Sequence, residues 1–120
     1  MLGALFLWGL LAAPAFGQED IEQRKIEYLI NSIADLSDAT FIRNGAEYNT
    51  GQAVAHLRLK LGFAGTVVKT AEDFIVCCAT GSSMTGEKYR IKFPDGRMVD
   101  TADFLRSKLA AYAAPNQHSD

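Results

Sequence analysis

Between Ile21 and Leu36 the apolar side chains Ile26, Leu29, Ile30, Ile33 and Leu36 recur at intervals of three and four, which predicts a helix with one buried face. Acidic residues at its start suit the positive end of the helix dipole, and Ser37 and Asp38 mark its end. The pattern then shortens. Phe41-Ile42-Arg43 and Ala46-Glu47-Tyr48 flank Asn44-Gly45, the dipeptide best suited to the positive φ angles of a two-residue type I′ turn, so a tight hairpin is expected. Asn49 and Gln52 form a capping-box pattern that opens a second helix, with Gly62 and Gly65 expected to close it around Phe63. On that helix Ala53, Val54, Leu57 and Leu61 make one apolar face, and Ala55 and Leu59 lie nearly opposite. Two apolar sides place the helix, by expectation, in the middle of the fold. Gln52, His56 and Lys60, spaced by four, form a polar stripe between those sides, and Arg58 projects on the other flank.

Thr70 and Asp73 cap a third helix carrying Phe74, Ile75 and Cys78, which Gly81 ends before a small polar loop from Ser82 to Gly86. Tyr89 to Phe93 alternates as a strand, Pro94-Asp95-Gly96 supplies a turn, and Arg97 to Val99 returns as the second arm of another hairpin. A last helix from Asp100 or Thr101 buries Phe104, Leu105, Leu109 and Tyr112, and residues 114–120 are expected as a flexible tail. The order of elements predicts one small α+β domain, residues 18–113, with four helices and two short antiparallel β-hairpins. Whether the hairpins join into one sheet is not readable from the pattern.

The first 17 residues hold no charged side chain, and Leu2 to Leu11 form a short apolar run. Such a run falls short of the roughly 20 apolar residues of a spanning helix but suits a secretory signal. Ala15 and Gly17 put small residues three positions and one position before a cut between Gly17 and Gln18, with a cut after Ala13-Pro14-Ala15 as the neighbouring alternative. No Lys or Arg precedes the apolar run, which departs from an ordinary signal. The expected product is periplasmic or secreted. No cysteine lies near the cut to carry a lipid, and no stable membrane insertion is expected after cleavage.

Charge narrows the partners further. Twelve basic and 14 acidic side chains give a net charge of −2, and both signs are dispersed, so no basic face argues for nucleic acid. The only cysteines, Cys77 and Cys78, are adjacent, and their Cα atoms stand about 3.8 Å apart across a trans peptide, too close for an unstrained disulfide. They read as two small helix residues with Cys78 buried; the alternative is an intermolecular bridge through Cys77.

The stretches FIRNG (Phe41 to Gly45), AVAHLRLKLG (Ala53 to Gly62), KTAEDFI (Lys69 to Ile75) and the Ser-Ser-x-x-Gly-x-x-Tyr pattern from Ser82 to Tyr89 resemble the YfeK-like family of small exported bacterial proteins, a domain of unknown function. The run through His56, Arg58 and Lys60 is the most specific part. The resemblance covers nearly the whole chain after residue 17 and implies export and a single domain. It implies no reaction and no ligand. The adjacent cysteines and the uncharged amino-terminal end are atypical for that family.

Three classes of function compete on the residues. The loop Gly81-Ser82-Ser83-Met84-Thr85-Gly86-Glu87-Lys88 lacks the Gly-Lys-Ser/Thr ending of a phosphate-binding loop, and it follows a helix and precedes a strand, the reverse of that motif. It also lacks the Gly-x-Ser-x-Gly elbow of serine hydrolases, and its hydroxyls are expected to bond to local backbone. A looser hydrolase would use Ser82 or Ser83 as nucleophile, His56 as base and Glu72 or Asp73 as orienting carboxylate. A binding module would gather Arg43, His56, Arg58 and Lys60 on one anion-attracting surface, with donors from Ser82 and Ser83, and recognise a polar or acidic partner such as a cell-wall ligand or another envelope protein. Its bland counterpart is a solvated charged stripe, with Arg58 and Glu47 in local ion pairs. A self-associating structural protein would use Leu59, Ala55 and Cys77. One histidine within the predicted fold and two vicinal cysteines do not make a metal ligand set, and no cofactor is expected.

Overall fold

The computed structural model describes residues 17–117, with side chains through Tyr112. The expected signal segment, Gly17 apart, lies outside the described residues, as do residues 118–120 of the expected tail.

Helix α1 (Gln18–Ala34) buries Ile26, Leu29, Ile30 and Ile33 completely, as their spacing requires. Strands β1 (Thr40–Arg43) and β2 (Ala46–Tyr48) follow, joined by Asn44 (φ 52°) and Gly45 (φ 78°), the two positive angles of a type I′ turn. Asn49 caps α2 (Thr50–Ala64) through a complete capping box with Gln52. The helix runs through Gly62 and stops only at Gly65, whose φ of 56° ends it, so Gly62 is not a terminator. Helix α3 (Ala71–Phe74), also opened by a full capping box, continues into a π-helical turn, Ile75–Ala79. The wider turn keeps Phe74, Ile75, Cys78 and Ala79 all in the core, while Val76 and Cys77 face outward. Strands β3 (Arg90–Lys92) and β4 (Met98–Asp100) and helix α4 (Thr101–Gln117) complete the fold.

The two hairpins join into one antiparallel sheet of order β2-β1-β3-β4. Its register aligns Tyr48, Phe41, Ile91 and Val99 across the sheet on the face that meets the core. Glu47, Arg90 and Lys92 point the other way and are exposed. The helix in the middle is α1, which packs against α2, α3 and α4. The expectation that α2 holds that place is overturned: Ala55 and Leu59 lie on an uncovered side of α2, where Leu59 is 56% and Phe63 82% exposed.

One buried carboxylate fastens α1 to α3. Glu22 accepts from the backbone N–H of Ala71 at 2.7 Å, from Lys25 at 3.2 Å and from Gln18 at 3.2 Å. These bonds, the one from Ala71 first, hold its pKa below the usual carboxylate value against the opposing effect of burial.

Candidate functional site

Continuing the register beyond the last paired residues puts Arg43, Tyr89 and Thr101 in one row across β1, β3 and the start of α4, and the Thr101 N–H donates to the Tyr89 carbonyl at 2.9 Å. The polar stripe of α2 lies against this row. The Tyr89 hydroxyl accepts from Lys60 Nζ at 3.1 Å and stands 3.1 Å from His56 Nε2, with the two rings edge to face. Lys60 has donors only, so the Tyr89 oxygen is its acceptor, and the Tyr89 proton is free to meet His56 Nε2 when the ring is neutral and protonated on Nδ1. Electrostatics agree: burial first, then the nearby charges of Arg43 and Lys60, lower the His56 pKa below its usual 6.5.

Lys60 Nζ also donates to the Gly81 carbonyl at 3.1 Å and thereby holds the start of the serine loop. The loop then folds on itself. Ser82 N–H donates to Glu87 O and Gly86 N–H to Ser82 O, both at 2.9 Å, and Ser82 Oγ accepts from the N–H groups of Met84 and Thr85. A side chain at Gly81 is sterically forbidden, because its Cβ would stand 2.7 Å from the Glu87 carbonyl oxygen. Asn44 ties the tip of the first hairpin to the loop, donating to Ser82 Oγ at 3.3 Å and accepting from Thr85 Oγ1 at 2.6 Å. Between hairpin, helix and loop lies a cleft of about 410 Å³ walled by Arg43, His56, Lys60, Asn44, Ser82 and Ser83. Leu59, Phe63 and Met84 form its apolar border, and Met84 is 93% exposed.

The two cations in this wall form no ion pair, and neither do Lys69, Lys92 and Lys108 elsewhere on the described chain. Arg58 pairs with Glu27, Lys25 with Glu22, Arg97 with Asp95, Arg106 with Glu72, and both Lys88 and Arg90 with Asp100. Arg43 and Lys60 have only neutral partners: Tyr48 for the first, through a bond from Nη2 at 3.1 Å with the guanidinium over the ring, and Tyr89 with Gly81 for the second. Arg43 thus uses one of five donors within the protein and Lys60 two of three.

Of the residues singled out from the sequence, Arg43, His56, Lys60, Ser82 and Ser83 converge on the cleft. Arg58 does not join them; it makes a bidentate pair with Glu27 of α1 at 3.0 and 3.1 Å, rather than with Glu47. The hydrolase constellation is not assembled. Neither Ser82 Oγ nor Ser83 Oγ makes a bond to His56, whose ring partner is Tyr89, Glu72 is bound to Arg106, and Asp73 accepts from the N–H groups of Lys69 and Thr70. Cys78 is buried, which together with the neighbouring Cys77 raises its pKa, and both cysteines are free. Among the described residues no group of His, Cys, Asp and Glu is placed to hold a metal, and no helix is long and apolar enough to cross a membrane. Tyr89, Tyr48 and Asn44 were not among the expected site residues. The one sequence signal for Tyr89 was its place at the end of the Ser-Ser-x-x-Gly-x-x-Tyr pattern.

Residues 20–113 match a protein family described as a family of unknown function, DUF5329, and the chain belongs to that family. It is 43% identical over 81 residues to the uncharacterized protein YfeK of Salmonella typhimurium, an alignment that covers 67% of this chain and 68% of YfeK. The resemblance read from the FIRNG and AVAHLRLKLG stretches therefore holds. No solved structure matches the chain.

Proposed function

We propose that this protein is an exported binding module of the bacterial envelope that recognises an anionic group on a cell-wall ligand or another envelope protein. The observation that carries this reading is the pair Arg43 and Lys60, two cations without a carboxylate partner on the wall of one cleft in a chain whose net charge is negative. His56 keeps a neutral ring between them, and the amides and hydroxyls of the Ser82 to Gly86 loop supply further donors. The apolar border of Leu59, Phe63 and Met84 fits an anion carried on a partner with an apolar flank. Export is supported by the uncharged apolar run before Gly17 and by α1 starting at Gln18, so that a cut between Gly17 and Gln18 leaves every element of the described residues intact.

The test is capture from envelope extract and from purified acidic cell-wall fragments at low salt, comparing the wild-type chain with Arg43→Ala, Lys60→Met and Arg58→Ala. Removing either cleft cation is expected to weaken the captured partner about tenfold or more, the size of one charge-assisted hydrogen bond. Arg58→Ala is expected to bind as the wild type. Equal retention by all four proteins would refute the reading.

A further inference from the structure

A second cavity, of about 250 Å³, lies between α2 and the core-facing side of the sheet. Its deep wall is apolar, formed by Ile33, Phe41 and Leu57, all buried. Thr101 lines the same space and is 4% exposed, and its hydroxyl is the one buried side-chain polar atom among the described residues with no hydrogen-bond partner. A valine would fill the same volume without the cost of an unsatisfied hydroxyl. Arg43 and His56 line the cavity too, and no carboxylate does. Arg43 and Thr101 belong to the same row across the sheet, two strand spacings apart, or about 10 Å between backbones. Of the α2 residues that line it, Ala53 and Ala55 are the small ones, and Ala53 packs against the core. An apolar cavity of about 150 Å³ holds a benzene ring, so this one has room for a ring with a short arm.

We propose that this cavity binds a small, mainly apolar carboxylic acid with a hydroxyl at its far end. Arg43 holds the carboxylate, Thr101 Oγ1 meets the hydroxyl, and the body sits against Ile33, Phe41 and Leu57. The site shares Arg43 with the outer cleft but does not rest on the function proposed for it, since its own evidence is the orphaned Thr101 hydroxyl.

The experiment titrates the full chain with 4-hydroxyphenylacetate, phenylacetate and 4-hydroxyphenethylamine by calorimetry, in the wild type and in Thr101→Val, Ala53→Leu and Arg58→Ala. The hydroxy acid is expected to bind at one saturable site, phenylacetate about tenfold more weakly for want of one buried hydrogen bond, and the amine not at all. Thr101→Val is expected to raise the Tm of the free protein and to erase the preference for the hydroxyl. Ala53→Leu, folded by circular dichroism, is expected to lose binding, whereas Arg58→Ala, whose side chain pairs with Glu27 and lines neither cavity, retains it. The proposal is overturned by no saturable binding of the hydroxy acid, by full binding in Ala53→Leu, or by a Tm in Thr101→Val no higher than the wild type. Equal loss of binding in Arg58→Ala would also overturn it, because that side chain lines neither cavity.

Discussion

Tyr89 offers one hydroxyl to two neighbours: Lys60 donates to it, and the half-buried His56 ring stands 3.1 Å away beside the charges of Arg43 and Lys60. The protonation of His56 is therefore set by its surroundings, and its lowered pKa has a consequence for stability. A histidine harder to protonate when folded than when unfolded makes the unfolded chain bind more protons, so stability falls as pH drops below about 6.5 toward the folded value. Histidine ring resonances are expected to titrate below 6.5 for His56, and His56→Gln is expected to flatten the pH dependence of unfolding in that window. A His56 pKa at or above 6.5 would show that burial and the charges of Arg43 and Lys60 do not govern the ring. The His56 and Lys60 pairing was legible from their spacing of four. Arg58 was misplaced by sequence reasoning although the same geometry excludes it: two residues along a helix is roughly 200° around, the opposite side from His56 and Lys60. Tyr89 was illegible as a hub because alternation in a strand says which way a side chain points, not which helix residue it meets.

Local chemistry made the elements legible, because caps and turns depend on residues a few positions apart. Asn49 with Gln52, Thr70 with Asp73 and Asn44 with Gly45 all adopt the motifs their sequence specifies. Thr70→Ala removes the acceptor of the Asp73 N–H at 3.0 Å and is expected to lower stability by about 1 kcal/mol in denaturant unfolding. No loss would mean that the short α3 is held by its packing alone. The π-helical turn of Ile75–Ala79 escaped the pattern, since a nine-residue stretch is too short to separate a π period from an α period. Gly62 misled for a related reason: a glycine ends a helix only where the backbone turns to positive φ, and that happens at Gly65.

On the scale of the whole molecule, the joining of β1 to β3 and the central place of α1 depend on contacts between distant residues, which periodicity does not encode. Glu22 is one such contact, 49 residues from its partner Ala71. Glu22→Ala leaves the Ala71 N–H buried without an acceptor and is expected to cost about 2 to 3 kcal/mol. The lowered Glu22 pKa means that this stabilisation is complete above the usual value near 4.5 and is lost as pH falls through the folded value, so the variant's deficit should shrink in acid. A deficit unchanged with pH would assign the effect to packing instead. The same long-range assembly brings Arg43 of β1, Lys60 of α2 and the serine loop to one cleft, and anion recognition there is the central claim. Its most direct test is a backbone amide NMR titration of the chain with inorganic phosphate at low ionic strength. The expected result is saturable shifts concentrated at Asn44, Lys60, Gly81, Ser82 and Ser83, abolished in Lys60→Met. Shifts spread evenly over Arg58, Arg97 and Arg106, and unaltered in that variant, would contradict it.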